Sequence, residues 1–331
     1  MKKWLSRTAR GGAVGRATVW GGLLALGLGV TRSATADDAP DAARDGFRWE
    51  ESSPTSLGLW EGQHPVLVYN HGVIRDPRAP ADRARSSYIH PLYGLDGEVL
   101  TDDFPEDHWH HRGVFWAWPH VEVDGRPHDL WMLRGIRHEF ERWGVREAGR
   151  DRAVLEVHNA WKTARRKVLS ETVRIVAHPA RPDGRWVDLE FTWAPEGEPL
   201  RLVGAEDKSY GGLTLRVAPG TDTVITTPLG SDPRDLYMTP LPWADLSRRL
   251  DATGRVSGVA ILIAPDHPDF PPTWLTRHYG VLCLGWPGVE GRTLTADEPV
   301  RVRYRLWVHR GGATVGQLAE QHRLYAHPDP Q

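Results

Sequence analysis

Apolar and polar residues alternate with a period of two along most of this chain. In WVDLEFTW, residues 186–193, Val187, Leu189, Phe191 and Trp193 alternate with Asp188, Glu190 and Thr192. In VRVRYRLWVHR, residues 300–310, Val302, Tyr304, Leu306 and Val308 alternate with arginines and Trp307. Successive side chains of a strand point to opposite faces, so this spacing predicts strands with one face in a core. Shorter runs of the same kind stand at 66–70, 153–158, 171–177, 213–217 and 258–264, and VFWAW at 114–118 predicts a buried strand. Gly and Pro clusters such as EGEP, APGTD, HPDFPP and WPGVEG punctuate them. Helical spacing is confined to ATVGQLAEQHRLYA, 313–326, with Val315, Leu318, Ala319 and Leu324 as its apolar side. The pattern predicts an all-β fold: a large antiparallel β-sandwich with a short C-terminal helix, one domain over 47–331.

The start of the chain departs from this pattern. MKKWLSRTARGGAVGR carries five basic residues and no acid, and is followed by the apolar ATVWGGLLALGLGV and then TRSATA. A basic head, a short apolar middle and an A-x-A exit predict a secretory signal peptide over 1–36. The apolar part is shorter than the roughly 20 residues that a membrane span needs. Cleavage is expected after Ala36, with Sec-type export to the periplasm or the outside. DDAPDAARDG, 37–46, is expected to be a flexible lead-in.

Removing the leader changes the charge. It holds six of the 41 basic residues and none of the 43 acidic ones, which leaves 35 against 43. An acidic chain without a long basic run is a poor partner for phosphate backbones, so nucleic acid is not expected. No later segment is apolar enough to span a membrane. Cys283 is the single cysteine, so no internal disulfide forms, and in VLCLGW it reads as a buried, inert thiol.

Nine of the 16 histidines lie between His64 and His138, most densely in DHWHHRG, 107–113. If 108–110 is extended, His108 and His110 share a face about 7 Å apart and could hold one divalent metal ion, with Asp107 and His111 opposed. His71, His90 or Glu206 would then supply a third ligand. The same imidazoles could instead serve without metal as hydrogen-bonding or acid–base groups, or could cap a loop.

The 16 tryptophans suggest a second theme. Aromatic faces stack on sugar rings while neighbouring polar groups meet the hydroxyls. Trp116 and Trp274 are candidates for that role, with Asp107, Arg112, His90, Lys208, Tyr210 and Arg277 as polar partners. In GAEDKSYGG, 204–212, Glu206 is a candidate general base, and Gly211–Gly212 permit close backbone approach. The loop DHPDFPPTWLTRHYG, 266–280, adds His267, His278 and Tyr279. No G-x-S-x-G, Walker A, G-x-G-x-x-G or H-E-x-x-H motif occurs, so those chemistries have no foothold.

The stretch SSYIHPLYGLDGEVLTDDFPEDHWHHRGVFWAW resembles the PmoA-like ("methane oxygenase PmoA") family of bacterial proteins, and SYGG, HPDFPPTW and RYRLWVHRG extend the resemblance along the chain. That family label implies oxygenase chemistry, although membrane methane monooxygenases are polytopic and this chain is not. A more distant likeness is to galactose-mutarotase-like supersandwich proteins, which bind sugars with paired histidines and a late Glu base. HYGVLCLGWPG, 278–288, is similar to their late strand, but Gly285 and Trp286 stand where the Glu is expected.

Three functions follow as expectations. The first is a carbohydrate-active enzyme, lyase, epimerase or hydrolase, with His108, His110, His111 and Glu206 as catalytic groups and a small-molecule or oligosaccharide substrate. The second is a metal-dependent enzyme using His108 and His110. The third is a non-catalytic carbohydrate-binding protein.

Overall fold

Strands, and the turns between them, account for nearly all of the backbone in the computed structural model, which describes residues 46–231 and 233–327. The signal-peptide reading, 1–36, lies outside the described residues. Every expected strand is present: Val300–Arg310 has the expected bounds, and most of the others are longer than the alternation alone marked, Gly184–Pro195, Ala153–Thr163 and Lys167–Ala177 among them.

Two nine-stranded sheets make the body. The first runs across Phe47–Ser53, Ser56–Glu61, His64–Asn70, Tyr88–Leu92, Val114–Ala117, Gly212–Arg216, Val281–Gly285, Thr273–Arg277 and Thr239–Pro240. The second runs across Gly230–Ser231, Gly220–Thr227, Trp243–Leu250, Val256–Ile263, Val300–Arg310, Gly184–Pro195, Lys167–Ala177, Ala153–Thr163 and Ile136–Ala148. Neighbouring strands pair antiparallel throughout both, as at Val173 opposite Phe191 and Thr214 opposite Cys283. A third sheet of four short strands includes His120–Val123 and Leu200–Val203. The fold is a large antiparallel β-sandwich.

The sheets meet through aromatic side chains. Trp116 of the first packs on Phe191 of the second with ring centroids 4.6 Å apart, and Trp118 stands edge-on to Trp193 at 5.2 Å. Between them lies a carboxylate. Glu171, fully buried, accepts indole N–H bonds from Trp116 (2.8 Å), Trp161 (2.9 Å) and Trp193 (2.9 Å) and an amide bond from Asn159 (2.9 Å). His138 Nε2 lies 3.6 Å away. Burial alone would raise the Glu171 pKa, but His138 and the ring of donors outweigh it and hold the carboxyl below its usual range.

This packing corrects the sugar-platform expectation for most of the tryptophans. Trp116, Trp118, Trp161, Trp193, Trp274 and Trp286 are all under 2% exposed. Trp116 spends its N–H on Glu171, and Trp274 spends its own on the Leu241 carbonyl at 2.8 Å. Both were candidate sugar platforms, and both are core.

The C-terminal helix forms over Val315–Ala326, closed at its start by a capping box between Thr314 and Gln317. Its buried side is Leu318 with Gln321, whose side chain accepts from Trp186 at 2.7 Å, while Val315 and Ala319 are exposed. The apolar face is thus narrower than the spacing suggested.

Candidate functional site

DHWHHRG does not run extended. His108 N–H donates to the Pro105 carbonyl (2.9 Å) and His111 N–H to the His108 carbonyl (2.8 Å), so the segment is two consecutive turns. In that conformation residues three apart share a side. The His108 and His111 rings stack with centroids 4.6 Å apart and planes within 8°. His110 sits edge-on to both, at 5.7 and 4.6 Å. The expectation that His108 and His110 would face together with His111 opposed is therefore overturned.

Arg112 is the reason. Its side chain is fully buried, and its guanidinium donates to the carbonyls of Trp109 (3.0 Å), His111 (2.5 Å) and Arg83. It lies over the Phe104 ring at 3.5 Å and 3.4 Å from the Asp103 carboxylate, which Tyr88 also reaches at 2.9 Å. A planar fork of donors winds the loop around itself. Arg112, expected to contact substrate, is instead the clamp that turns three imidazoles to one side.

They turn over the outer face of the first sheet. Trp116, Leu213, Leu282 and Leu284 point inward, so their neighbours Phe115, Thr214, Val281 and Cys283 point outward. On that floor lies a cleft of about 290 Å³, lined by Leu275, Val281 and Cys283 below and by His108, His110, His111, Trp131, Lys208, Tyr210, Arg277 and Tyr279 around it. The Asp129–Arg134 turn brings in Trp131 through N–H bonds from Leu130 and Trp131 to the Trp118 carbonyl, both 3.0 Å. The Glu206–Lys208 turn, with Asp207 and Ser209 left-handed at φ 61° and 58°, brings in Lys208 and Tyr210. Gly211, at φ 147°, follows where any Cβ would meet Trp118 Cδ1 at 2.9 Å, so the close approach does need glycine.

The ring column continues outward. Tyr279, 41% exposed, stacks on His108 at 5.3 Å and 11°, and the Arg216 guanidinium lies 4.9 Å from the Tyr279 ring. Arg216 also donates to both oxygens of Asp107, at 3.0 and 3.1 Å. Asp107 in turn has Oδ2 3.1 Å from His108 Nδ1. Burial works against the Asp107 anion, but His108 and Arg216 overcome it and hold the carboxyl below its usual range. His110 is pushed down to about 3 by burial and then by Arg85 and its neighbours, and His111 falls well below the ordinary imidazole value by burial and the two adjacent histidines. Both are neutral at physiological pH. Burial also raises the phenols of Tyr210 and Tyr279, which therefore stay protonated.

As a metal site the cluster is badly shaped. A metal ion must lie near the plane of each imidazole that binds it, so the parallel rings of His108 and His111 cannot share one. The expected pair, His108 and His110, with centroids 5.7 Å apart and planes at 75°, meets no third ligand among the described residues. His71, a candidate third ligand, is packed between Phe140 and Trp143, both at 5.0 Å. Among the described residues no group of three or more His, Cys, Asp or Glu is placed to hold a metal ion.

The structure thus gathers His108, His110, His111, Lys208, Tyr210 and Arg277 in one cleft, with Asp107 behind His108. It leaves others elsewhere. Glu206, the candidate base, is exposed on its turn and outside the cleft lining. His90 bonds Thr101 Oγ1 at 3.0 Å, is pushed down to about 4 by burial, and borders a separate groove near Trp60 and Tyr93. Tyr279, marked on its loop, joins the site, and Trp131 and Arg216 belong to it without having been singled out for it. For Arg216 the signal was available: in LTLR it is out of phase with Leu213 and Leu215, on the outward face.

Residues 59–323 match the model of a family of unknown function, DUF6807. The chain belongs to that family. Its description mentions no methane oxygenase, so the PmoA-like resemblance gains no support from it. No curated protein matches. Among solved structures the chain is similar to the GH36 α-galactosidase AgaA of Geobacillus stearothermophilus, solved with raffinose, at 12% identity and a TM-score of 0.36 over 80% of this chain and 41% of that one. It is also similar to a protein described as a kojibiose phosphorylase from human microbiome, at 9% identity and a TM-score of 0.35 over 82% of this chain and 31% of that one. The chain spans less than half the length of either, and similarity at this level assigns no activity.

Proposed function

We propose that this DUF6807 protein is a carbohydrate-active protein, exported by its N-terminal leader, whose cleft holds a sugar and carries out acid–base chemistry on it. The observation that carries the reading is the Asp107–His108 pair, 3.1 Å apart, set into a ring column at the mouth of a sugar-sized cleft. The Asp107 carboxylate, 3.1 Å from His108 Nδ1, would balance the positive charge that forms when His108 takes a proton. His110 and His111, held neutral, can donate to and accept from hydroxyls without carrying charge. The faces of Tyr279, Tyr210 and Trp131 supply apolar surface for a pyranose.

The test is a panel of oligosaccharides titrated against the purified protein by calorimetry, followed by product analysis with wild type and His108→Gln. Ligand bound by both, with turnover lost in the variant, supports the enzyme. Binding without turnover in wild type supports a carbohydrate-binding protein in its place. Absence of binding across the panel overturns the sugar reading.

A further inference from the structure

The charge around this cleft is one-sided. Lys208 and Arg277 line it, Arg216 backs Tyr279, and the permanently charged groups that act most on His110 and His111 are arginines: Arg83, Arg85, Arg112 and Arg216. No carboxylate is among the described residues that line it. Arg277 lies 3.8 Å from Asp235, a loose pairing, and Lys208, exposed on its turn, meets no carboxylate of the described residues at ion-pair distance. Under the His loop Arg85 is 3% exposed and donates through one nitrogen to the carbonyls of Leu130 (2.6 Å) and Trp131 (2.8 Å). Its Nε and second terminal nitrogen are buried without partners, as is His111 Nδ1. Arg85 lies behind the cleft lining and adds positive charge without reaching a ligand. In the wall itself, a lysine without a counter-ion, an arginine only loosely paired and a buried His111 nitrogen without a partner are what an anionic ligand satisfies.

The same lining argues about the reaction. Glycoside hydrolysis ordinarily uses two carboxyl groups roughly 5–10 Å apart across the bond. Here the carboxylate at hand, Asp107, is already held by Arg216 and His108, and Glu206 stands outside. What remains is one carboxylate-backed imidazole, neutral phenols and cations. That set suits removal of a proton from a carbon next to a substrate carboxylate, because cations on that carboxylate stabilise the negative charge that develops there.

We propose that the cleft takes a uronate residue of an acidic glycan and cleaves the chain at that residue by β-elimination. The inference rests on the sugar reading above. Lys208 and Arg277 pair with the uronate carboxylate. His108 takes the proton from C5, and the C5–H electron pair becomes the C4=C5 double bond. The C4–O4 bond breaks, its electrons leave with the oxygen, and that oxygen takes the phenol proton of Tyr279. The imidazolium then returns its proton to solvent and the phenolate regains one, so the products are a C4=C5 unsaturated uronate end and a new hydroxyl end.

The experiment compares uronate oligosaccharides (galacturonate, glucuronate and mannuronate series) with the same oligosaccharides after reduction of their carboxyl groups. Binding is measured by calorimetry. Chemistry is followed by the ultraviolet absorbance of the conjugated product and by incorporation of deuterium from heavy water at C5 of recovered substrate. The expected result is that one uronate series binds about tenfold or more tightly than its reduced counterpart. Lys208→Gln lowers that ratio and Lys208→Arg restores most of it, and wild type alone among His108 variants yields the unsaturated product. Equal affinity for reduced and acidic forms overturns the uronate proposal and leaves the sugar reading standing. Failure of every glycan to bind overturns both. Selective binding with neither absorbance nor deuterium exchange overturns the elimination.

Discussion

His111 stacks on His108 at 4.6 Å, within 8° of parallel, and the two rings sit between the buried Phe115 and the exposed Tyr279. Burial and the adjacent histidines hold His111 neutral deep in the column, and His108 at its outer end meets Asp107.

A stability profile follows, and its sign is fixed by depressed folded-state values. His110 titrates at about 3 in the folded protein against 6.5 for a free imidazole, and His111 is displaced in the same direction. As the pH falls below 6.5 the unfolded chain takes protons that the folded chain refuses, so these groups favour unfolding progressively until the folded state also titrates. Thermal melts should show the wild type losing stability between pH 6.5 and about 3 more steeply than His110→Asn, which has one depressed imidazole fewer. Parallel pH profiles for the two proteins would contradict the burial that depresses these groups.

Arg112 predicts a different kind of failure. Its guanidinium closes the 102–113 loop on three carbonyls while packed on Phe104 and beside Asp103. Arg112→Lys keeps the charge and loses the fork, and removing one side of a buried pair costs about 3–5 kcal/mol. The expected outcome for Arg112→Ala is a lower Tm and fast amide exchange over 102–113. Arg112→Lys should show the same loop exchange with a smaller drop in Tm. A loop that stays protected in both variants would show that the clamp lies elsewhere.

Much of this was legible in the sequence, and the failures have physical causes. Period-two alternation located the strands because one-sided burial writes itself into the sequence. The density of histidines and polar groups in the loops between strands marked His108, His110, His111, Lys208, Tyr210 and Arg277, which the fold brings to one cleft. The orientation of the histidines was not legible: one buried arginine at position 112 decides between strand and turn, and Arg in a loop looks solvated. Trp116 went wrong for a related reason. The phase of VFWAW does not say which face is core, and the inner face took the tryptophans while Phe115 took the outer one. Glu171 left a clear signal, standing in phase with Val173 and Ile175 where an apolar residue belongs.

Cys283 forms part of the cleft floor and is nonetheless inert by this structure. It is fully buried, shares a 3.1 Å contact with Thr214 Oγ1, and burial pushes its thiol up to about 11. Its reaction with a thiol reagent at neutral pH should be undetectable in the native protein and complete in denaturant. Rapid native reaction that ligand suppresses would instead make the floor accessible.

Glu171 offers the sharpest test of what holds the sheets together. Three indole N–H groups converge on one of its oxygens and an asparagine amide on the other, all within 2.8–2.9 Å and all buried. Each donor was desolvated to reach that place, and without an acceptor each costs about 1–3 kcal/mol. Glu171→Gln puts an NH2 group or a weaker neutral acceptor against donors that need an anion, and Glu171→Leu removes acceptors altogether. We expect Glu171→Gln to lose about 3–5 kcal/mol in denaturant unfolding, and Glu171→Leu at least as much. Tryptophan fluorescence should shift in both, because Trp116, Trp161 and Trp193 lose their shared partner. A variant as stable as wild type would mean that the indoles find other acceptors, and that apolar packing such as Trp116 on Phe191 suffices to join the two sheets.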